Sequence, residues 1–129
     1  MSYPSKRILG AARKAAEAVP GCGGYGGSFQ HGAALYGHAN RLIIAKGNLL
    51  KTHPKLVEFS EFPFLHAESR VILSHGMDQC HGLNLAVIRI SNGCGFTMSR
   101  PCAACMALIH QVGIKEVYYS DYMGEMKCL

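Results

Sequence analysis

The chain has 129 residues, of which 49% are hydrophobic and 16% charged, so it can bury one core and is too apolar to stay disordered. We therefore interpret residues 1–129 as a single domain. No apolar run approaches the roughly 18 residues of a membrane span, and charged residues at Arg13, Lys14 and Glu17 argue against a signal peptide. Six cysteines in such a chain favour metal binding or chemistry in a reducing cytoplasm. The net charge of +5 is scattered, which fits a solvated surface or an anionic substrate.

The first half of the chain predicts a helix followed by a β-hairpin. Apolar residues recur at helical intervals over 5–19, and the glycine-rich segment 20–27 ends that helix. Two short apolar segments, 32–37 and 41–47, are separated by "HAN" and are typical of two antiparallel strands. The segment 48–65 is interpreted as a long, proline-punctuated connection with some helical content.

The second half alternates helices and strands. In chain order it predicts a helix over 66–76, a buried strand over 83–91, a helix over 101–113, a strand over 115–120 and a short edge strand within 121–129. Pro101 suits the first turn of its helix, and Gly76 and Gly113 end the two helices. A strand–helix–strand unit requires parallel neighbours with helices covering the sheet. The expected fold class is therefore α/β, a three-layer α/β/α sandwich around a mixed sheet of four or five strands.

Two cysteines and one histidine stand at the starts of these helices. Cys102 and Cys105 are three residues apart, so their sulfurs share a face in a first turn whose N–H groups and dipole favour thiolates. His66 begins the other helix, and two helices that leave adjacent strand ends direct their N-termini at one point. Three such ligands on zinc leave a fourth position for water, which is the arrangement of a catalytic site.

Glu68 lies two residues after His66, a spacing that does not give a shared helical face. It is therefore interpreted as a neighbour of the metal that does not bind it. Zinc lowers the pKa of its water towards 7, and Glu68 can take that proton and return it to a ring nitrogen and a leaving amine. Such a site deaminates an amidine-like carbon, as in cytosine or adenine.

The order His66-Ala67-Glu68 and then Pro101-Cys102-Ala103-Ala104-Cys105 has the pattern H-x-E followed by P-C-x-x-C. With these motifs and "IHQVGIKEVYYS", the chain resembles the cytidine deaminase superfamily over roughly its last hundred residues. The resemblance implies that His66, Cys102 and Cys105 bind zinc and that Glu68 shuttles protons. It also implies that the backbone N–H of Ala67 contacts the base.

An upstream segment adds candidate substrate contacts. "SFQHGAAL" and the later Asn48 look like the region of nucleoside deaminases where a phenylalanine lines the pocket and an asparagine binds the sugar. The resemblance implies that Phe29 lines the pocket and that Asn48 holds a ribose hydroxyl or the base. Leu50 stands where cytidine deaminases usually carry a glutamate for the 3′-hydroxyl, which leaves room for a nucleotide or a modified base. Three cations are interpreted as solvated charges or phosphate contacts: Arg100, Lys51 and Lys55.

These residues allow other interpretations. In a closed structural zinc site, a fourth ligand would come from Cys80, His81 or Cys94. Alternatively, these three residues would together form a second metal site. A nucleic-acid cytosine or adenine deaminase shares the same metal chemistry. The sequence lacks a basic stripe with exposed aromatics and closes with a hairpin-like tail, which favours a small substrate. Tyr122, just past a strand end, is a candidate to border the site.

The preferred function is a zinc-dependent hydrolytic deaminase that converts a cytosine-containing nucleoside or nucleotide to the uracil form and releases ammonia. A homo-oligomer is expected, with no membrane partner. Burying a base needs walls on all sides, and members of the superfamily are commonly dimers or tetramers packed through their helices. Met106, Leu108 and Ile109 also exceed what one sheet face can use, so part of that helix is expected to pack on a second subunit.

Overall fold

The computed structural model describes residues 3–19, 30–48, 66–90 and 95–129. These segments form one mixed sheet with helices on both of its faces. The elements, in chain order, are α1 (Lys6–Glu17), β1 (His31–Tyr36), β2 (Leu42–Gly47), α2 (Ala67–His75), β3 (Asn84–Ile90), β4 (Phe96–Thr97), α3 (Ala103–Val112), β5 (Glu116–Ser120) and β6 (Met126–Cys128).

Helix α1 covers one face of the sheet. Its N-terminus is capped by Ser5, whose hydroxyl oxygen accepts a hydrogen bond of 3.3 Å from the N–H of Ile8. Ile8, Ala12 and Ala16 form a fully buried stripe at helical spacing. The helix packs so closely on β1 that a Cβ at Gly32 would overlap the carbonyl group of Ala12. Small residues on both elements therefore set the separation of these two layers.

The strand order is β2-β1-β3-β5-β6, and β4 pairs with β3 outside this path. β1 pairs antiparallel with both β2 and β3, whereas β3 and β5 are parallel neighbours and β6 returns antiparallel to β5. α3 provides the crossover between β3 and β5, as the alternation in the sequence predicts. The hairpin and the terminal edge strand are confirmed.

The other face of the sheet is covered by α2 and α3. Side chains of β1 and β3 alternate between the two faces. The odd-numbered Ala33, Leu35, Leu85 and Val87 pack against α2 and α3, and the even-numbered neighbours pack against α1. The three-layer α/β/α arrangement and its mixed sheet are therefore confirmed.

The sheet gains one strand that the sequence does not predict. β4 has only two residues, which pair antiparallel with the last two residues of β3, Arg89 and Ile90. Two residues are too few to show the alternation by which strands are identified. The described chain thus has five strands along the main path and this sixth short one.

Helix α3 differs from its prediction at the start and in its packing. Cys102 is the N-cap, so Pro101 precedes the helix and is not in its first turn. Leu108 and Ile109 are buried against this chain's own sheet and provide no surplus apolar face for a neighbour. Of the three residues expected to exceed the needs of one sheet face, only Met106 is partly exposed.

Helix length and polarity also bear on membrane association. Across the four described segments, no helix is both long enough and apolar enough to traverse a bilayer.

Candidate metal centre

The N-termini of α2 and α3 bring three ligand groups together. Nδ1 of His66 lies 3.7 Å from Sγ of Cys102 and 3.3 Å from Sγ of Cys105. The three ligand atoms lie within 4.8 Å of one another, and within the described segments no other three His, Cys, Asp or Glu side chains converge in this way. Residues separated by 36 positions in the sequence are therefore neighbours at one end of the sheet, where α2 and α3 begin.

Helix capping explains why these side chains converge. His66 is the N-cap of α2 and Cys102 is the N-cap of α3, and both have extended backbone angles. At these N-cap positions the His66 and Cys102 side chains lie beside each other, with Nδ1 3.7 Å from Sγ. The two-residue interval from His66 to Glu68 is thus a step from the N-cap to the second helical residue.

The spacing of the ligand atoms fits a tetrahedral zinc ion. Zinc bonds of about 2.3 Å to sulfur and about 2.0 Å to nitrogen place neighbouring S and N ligands about 3.5 Å apart. The two measured separations from His66, 3.7 and 3.3 Å, bracket this value. Two thiolates and one imidazole are also the donor types that zinc prefers. The residues present therefore fit the ion.

Hydrogen bonds among the three side chains of the cluster shift their pKa values. A hydrogen bond with Cys105 and a second with His66 lower the pKa of Cys102 to about 3. The hydrogen bond with Cys102 is also the main reason that the pKa of His66 is raised. The same hydrogen bond with Cys102, together with burial, raises the pKa of Cys105. One thiolate thus sits beside two protonated groups, whose protons a metal ion displaces when it binds.

Glu68 is a buried carboxyl group beside the cluster. It is only 5% exposed, and burial raises its pKa, opposed in part by its own backbone N–H and by the charge of His66. A hydrogen bond also connects Glu68 with Cys105. A carboxyl group whose charged form is disfavoured can hold a proton and release it again, as a general acid–base group must.

Ala67 is the first residue of α2 and is fully buried. Helix geometry offers no intrahelical acceptor to the N–H groups of a first turn. The N-cap carbonyl of His66 is held by the Ser69 hydroxyl and the Arg70 N–H, each donating at 2.9 Å. The backbone N–H of Ala67 therefore has a fixed position next to the ligand cluster.

Asn48 lies just past the end of β2 and is 5% exposed. Its Oδ1 accepts a hydrogen bond of 2.9 Å from the N–H of His31, and its own N–H donates to the His31 carbonyl at 3.3 Å. Asn48 also borders a cavity of about 360 Å³ between α1, β2 and Arg70 of α2. Its side chain thus has a structural role at this edge, and a substrate contact stays a prediction. Phe29 lies outside the described residues.

His31 has no role in the sequence analysis, yet the structure places it beside the cluster. Burial, followed by the positive charges of Arg89 and His66, lowers the pKa of His31 to about 4, so its imidazole is neutral near pH 7. His31 and Arg89 are opposite each other on β1 and β3. Both have odd numbers in these strands, so they share the face covered by α2 and α3. Only this alternation, combined with the strand register, reveals their proximity.

The proposed second metal site has no support in the described residues. The Cys80 thiol donates to the Gly76 carbonyl at 3.3 Å, and burial raises its pKa. His81 is exposed, and its ring packs against Gly113. Cys94 lies outside the described residues. The Cys80 side chain therefore stabilises the C-terminal end of α2 through this hydrogen bond.

The remaining candidates lie around the cluster or outside the described chain. Arg100 is exposed, and its guanidinium carbon lies 5.9 Å from the ring centroid of Tyr119, a cation–π contact. Tyr122 is 77% exposed in the turn that follows β5, at the end of the sheet where the parallel strands β3 and β5 have their carboxyl ends. Lys51 and Lys55 lie outside the described residues.

Two buried serines hold the segment that leads to Cys102. The Ser99 hydroxyl donates to the Val87 carbonyl and accepts from the N–H of Ser120, both at 2.8 Å. The backbone N–H of Ser99 donates to the Ser120 carbonyl, also at 2.8 Å. These bonds connect the segment to both β3 and β5, which fixes where α3 begins and where its N-cap sulfur lies.

Comparison with known proteins agrees with this geometry. A comparison with curated proteins finds no match. The family described as the cytidine and deoxycytidylate deaminase zinc-binding region matches residues 6–121, a wider span than the motifs alone indicate because it includes α1. The histidine and the two cysteines that this region brings together are the candidate zinc ligands. The chain therefore belongs to the cytidine and deoxycytidylate deaminase family.

Proposed function

We propose that the protein is a zinc-dependent hydrolytic deaminase that converts a cytosine-containing nucleoside or nucleotide to the uracil form and releases ammonia. One observation carries the proposal: a His66, Cys102 and Cys105 cluster of zinc-like spacing stands beside the buried carboxyl of Glu68. A closed structural site gives Glu68 no task, since a carboxyl group is costly to bury without one. Membership of a deaminase family supports the same conclusion.

The roles of the chain's residues follow from their chemistry. His66, Cys102 and Cys105 would hold the zinc ion, which lowers the pKa of a bound water towards 7 and so supplies a nucleophile at neutral pH. Glu68 accepts the proton of the water that attacks C4 of the base and donates it to the ring nitrogen. Glu68 then takes the remaining proton of that water from the hydroxyl group on C4 and passes it to the amino group, so that the C4–N bond breaks, ammonia leaves and a carbonyl remains at C4. The raised pKa of this carboxyl group suits both directions of transfer.

The walls of the proposed pocket come from three elements. The N–H of Ala67 is proposed to donate to the base, and Asn48 and the neutral imidazole of His31 lie at the adjoining strand ends. Phe29 is proposed as a further wall. Neutral donors and acceptors of this kind orient a base without adding charge to the reaction centre.

A substrate panel tests the proposal. Cytidine, CMP, dCMP, cytosine, adenosine, guanine and single-stranded DNA are each assayed for ammonia release with the zinc-loaded protein. We expect turnover of cytosine nucleosides or nucleotides. The metal, the carboxyl group of Glu68 and the N–H of Ala67 all serve attack at C4 of a cytosine that is not part of a polymer. A structural zinc module would deaminate none of these compounds, and that outcome would refute the proposal.

A nucleic-acid substrate is the second candidate, because two large apolar side chains stand exposed in the turn at the carboxyl edge of the sheet. Tyr122 is 77% and Met123 84% exposed, and Arg100 lies nearby over Tyr119. Single-strand binding that neutralises several phosphates weakens steeply with salt, with a log–log slope near −0.7 per phosphate. For this protein we expect the affinity for single-stranded nucleic acid to depend only weakly on salt concentration. Steep salt dependence without turnover of monomers would favour the polymer.

A homo-oligomer is also proposed. In the described segments the exposed large apolar side chains are Tyr3, Tyr122, Met123 and Leu129. Helix α3 adds the partly exposed Met106, since Leu108 and Ile109 are buried in this chain. Closed symmetric assembly would bury these side chains and complete the pocket walls. Sedimentation of the active protein at micromolar concentration is expected to give a multiple of the 14.0 kDa chain mass. An active species of one chain mass would contradict this.

A reducing cytoplasm is the proposed location. The four cysteines in the described residues, Cys80, Cys102, Cys105 and Cys128, are free. Thiolates that serve as metal ligands must stay reduced, and glutathione and thioredoxin maintain that state in the cytosol.

A further inference from the structure

Arg89 is the one charged residue of strand β3. It is the second-last residue of β3, where the five residues before it are buried, and it is itself partly buried. Its Nε is buried and has no hydrogen-bond partner. In the segments that the structure describes, the ion pairs involve Arg13 and Lys127 and not Arg89. A guanidinium group whose Nε donor is buried without an acceptor, and which has no ion pair in these described segments, is costly in a folded protein.

The position of Arg89 relates it to the candidate metal centre. It is opposite His31 in the β1–β3 ladder, where paired Cα atoms lie about 4.5–5.5 Å apart. Both side chains belong to the sheet face that carries α2 and α3. The N–H of His31 donates to Asn48 at 2.9 Å, just past the end of β2. Arg70 ties this end of β2 to the start of α2, because its side chain donates to the Gly47 carbonyl and its backbone N–H donates to the His66 carbonyl. Arg89 and the candidate metal ligand His66 therefore lie at the same end of the sheet.

The neighbouring arginines are already engaged. Arg70 donates from Nη1 to the Gly47 carbonyl at 3.1 Å, and the exposed Arg100 lies over the Tyr119 ring. The imidazole of His31 carries no negative charge in either protonation state and so cannot act as a counter-ion for Arg89. A ligand with negative charge would meet both needs of Arg89, a counter-charge and an acceptor for its buried donor.

Resting on the proposed function, we propose that Arg89 binds the phosphate of the substrate, so that the enzyme acts on a cytosine nucleotide in preference to the nucleoside. The planar guanidinium group offers paired donors that match phosphate oxygens. A nucleotide bound with its base at the zinc ligands carries its phosphate one sugar away, and Arg89 stands at the same end of the sheet as His66. Leu50, where cytidine deaminases hold the sugar with a glutamate, is consistent with recognition that moves from the sugar to the phosphate.

The test compares CMP with cytidine, which differ only in the phosphate. For the wild type we expect kcat/KM for CMP to exceed that for cytidine. In Arg89→Gln the ratio of the two values is expected to fall about 100-fold, as for loss of a charge-assisted bidentate contact. Arg89→Lys, which keeps the charge and loses the fork, is expected to lower the ratio about tenfold. Arg7→Gln, an exposed arginine on α1, is the matched control and should leave the ratio unchanged.

The ratio of kcat/KM for CMP to that for cytidine is insensitive to general damage to folding or to the zinc site, because such damage lowers both values. An unchanged ratio in Arg89→Gln and Arg89→Lys, or a wild type that prefers cytidine, would overturn the assignment. If the wild type deaminates neither compound, the proposed function fails, and calorimetric titration with inorganic phosphate still decides the role of Arg89. Binding that disappears in Arg89→Gln but persists in Arg7→Gln would support the phosphate site. Equal binding in both variants, or none by the wild type, would overturn it.

Discussion

Replacing Glu68 with glutamine is expected to leave the fold and the bound zinc in place and to slow deamination by roughly 10²- to 10⁴-fold. Glutamine has nearly the same shape, so the buried space that Glu68 occupies stays filled. It cannot accept a proton from water or deliver one to the ring nitrogen. Because Glu68 is not one of the three clustered ligands, zinc content should not change.

Two measurements separate this effect from structural damage. Zinc content and thermal unfolding are determined alongside turnover, and the amide should be at least as stable as the carboxyl group because burial disfavours the charged form of Glu68. Glu125→Gln is the matched control, since Glu125 is exposed in the tail and paired only with Lys127. Turnover in Glu68→Gln equal to that of the control would rule out the proton-shuttle mechanism.

The candidate metal ligands are the part of the site that sequence reasoning places best, because their geometry is local. His66 and Cys102 need only stand at helix N-caps, and Cys105 follows within the first turn of α3. Helix start signals and ligand spacing are both visible within a few residues. The structure changes one detail: Pro101 precedes the N-cap, which places the first sulfur outside the helix.

The pocket walls depend instead on the pairing of distant strands. Which residue of β3 faces His31 is decided by a register between segments more than 50 residues apart in the sequence, and a shift of one residue would turn Arg89 to the other face. The same limit explains why the sequence predicts Leu108 and Ile109 to be surplus to one sheet face, since the sheet that buries them is assembled from six separate strands. Local patterns therefore predict the elements and the ligands, and the register determines which other side chains adjoin them.

The double variant Cys102→Ala, Cys105→Ala is expected to lose its zinc and all measurable deaminase activity. The wild type is expected to hold one zinc ion per chain, and removing two of three protein ligands leaves a single imidazole, which binds zinc weakly. Metal analysis of the purified protein measures this directly. Cys128→Ala is the control, because Cys128 is free and exposed on β6, away from the cluster.

The two single variants sharpen the test because the two sulfurs differ in burial. Cys102 is exposed at its N-cap, so its replacement by alanine should cost zinc and activity with little effect on the stability of the metal-free protein. Cys105 is 1% exposed within the core, so its replacement should in addition destabilise the metal-free protein through lost packing. Added zinc should raise the unfolding temperature of the wild type and of Cys128→Ala by mass action, but not that of the double variant. A double variant that still binds one zinc ion, or is still stabilised by it, would show that the ion is held elsewhere in the chain.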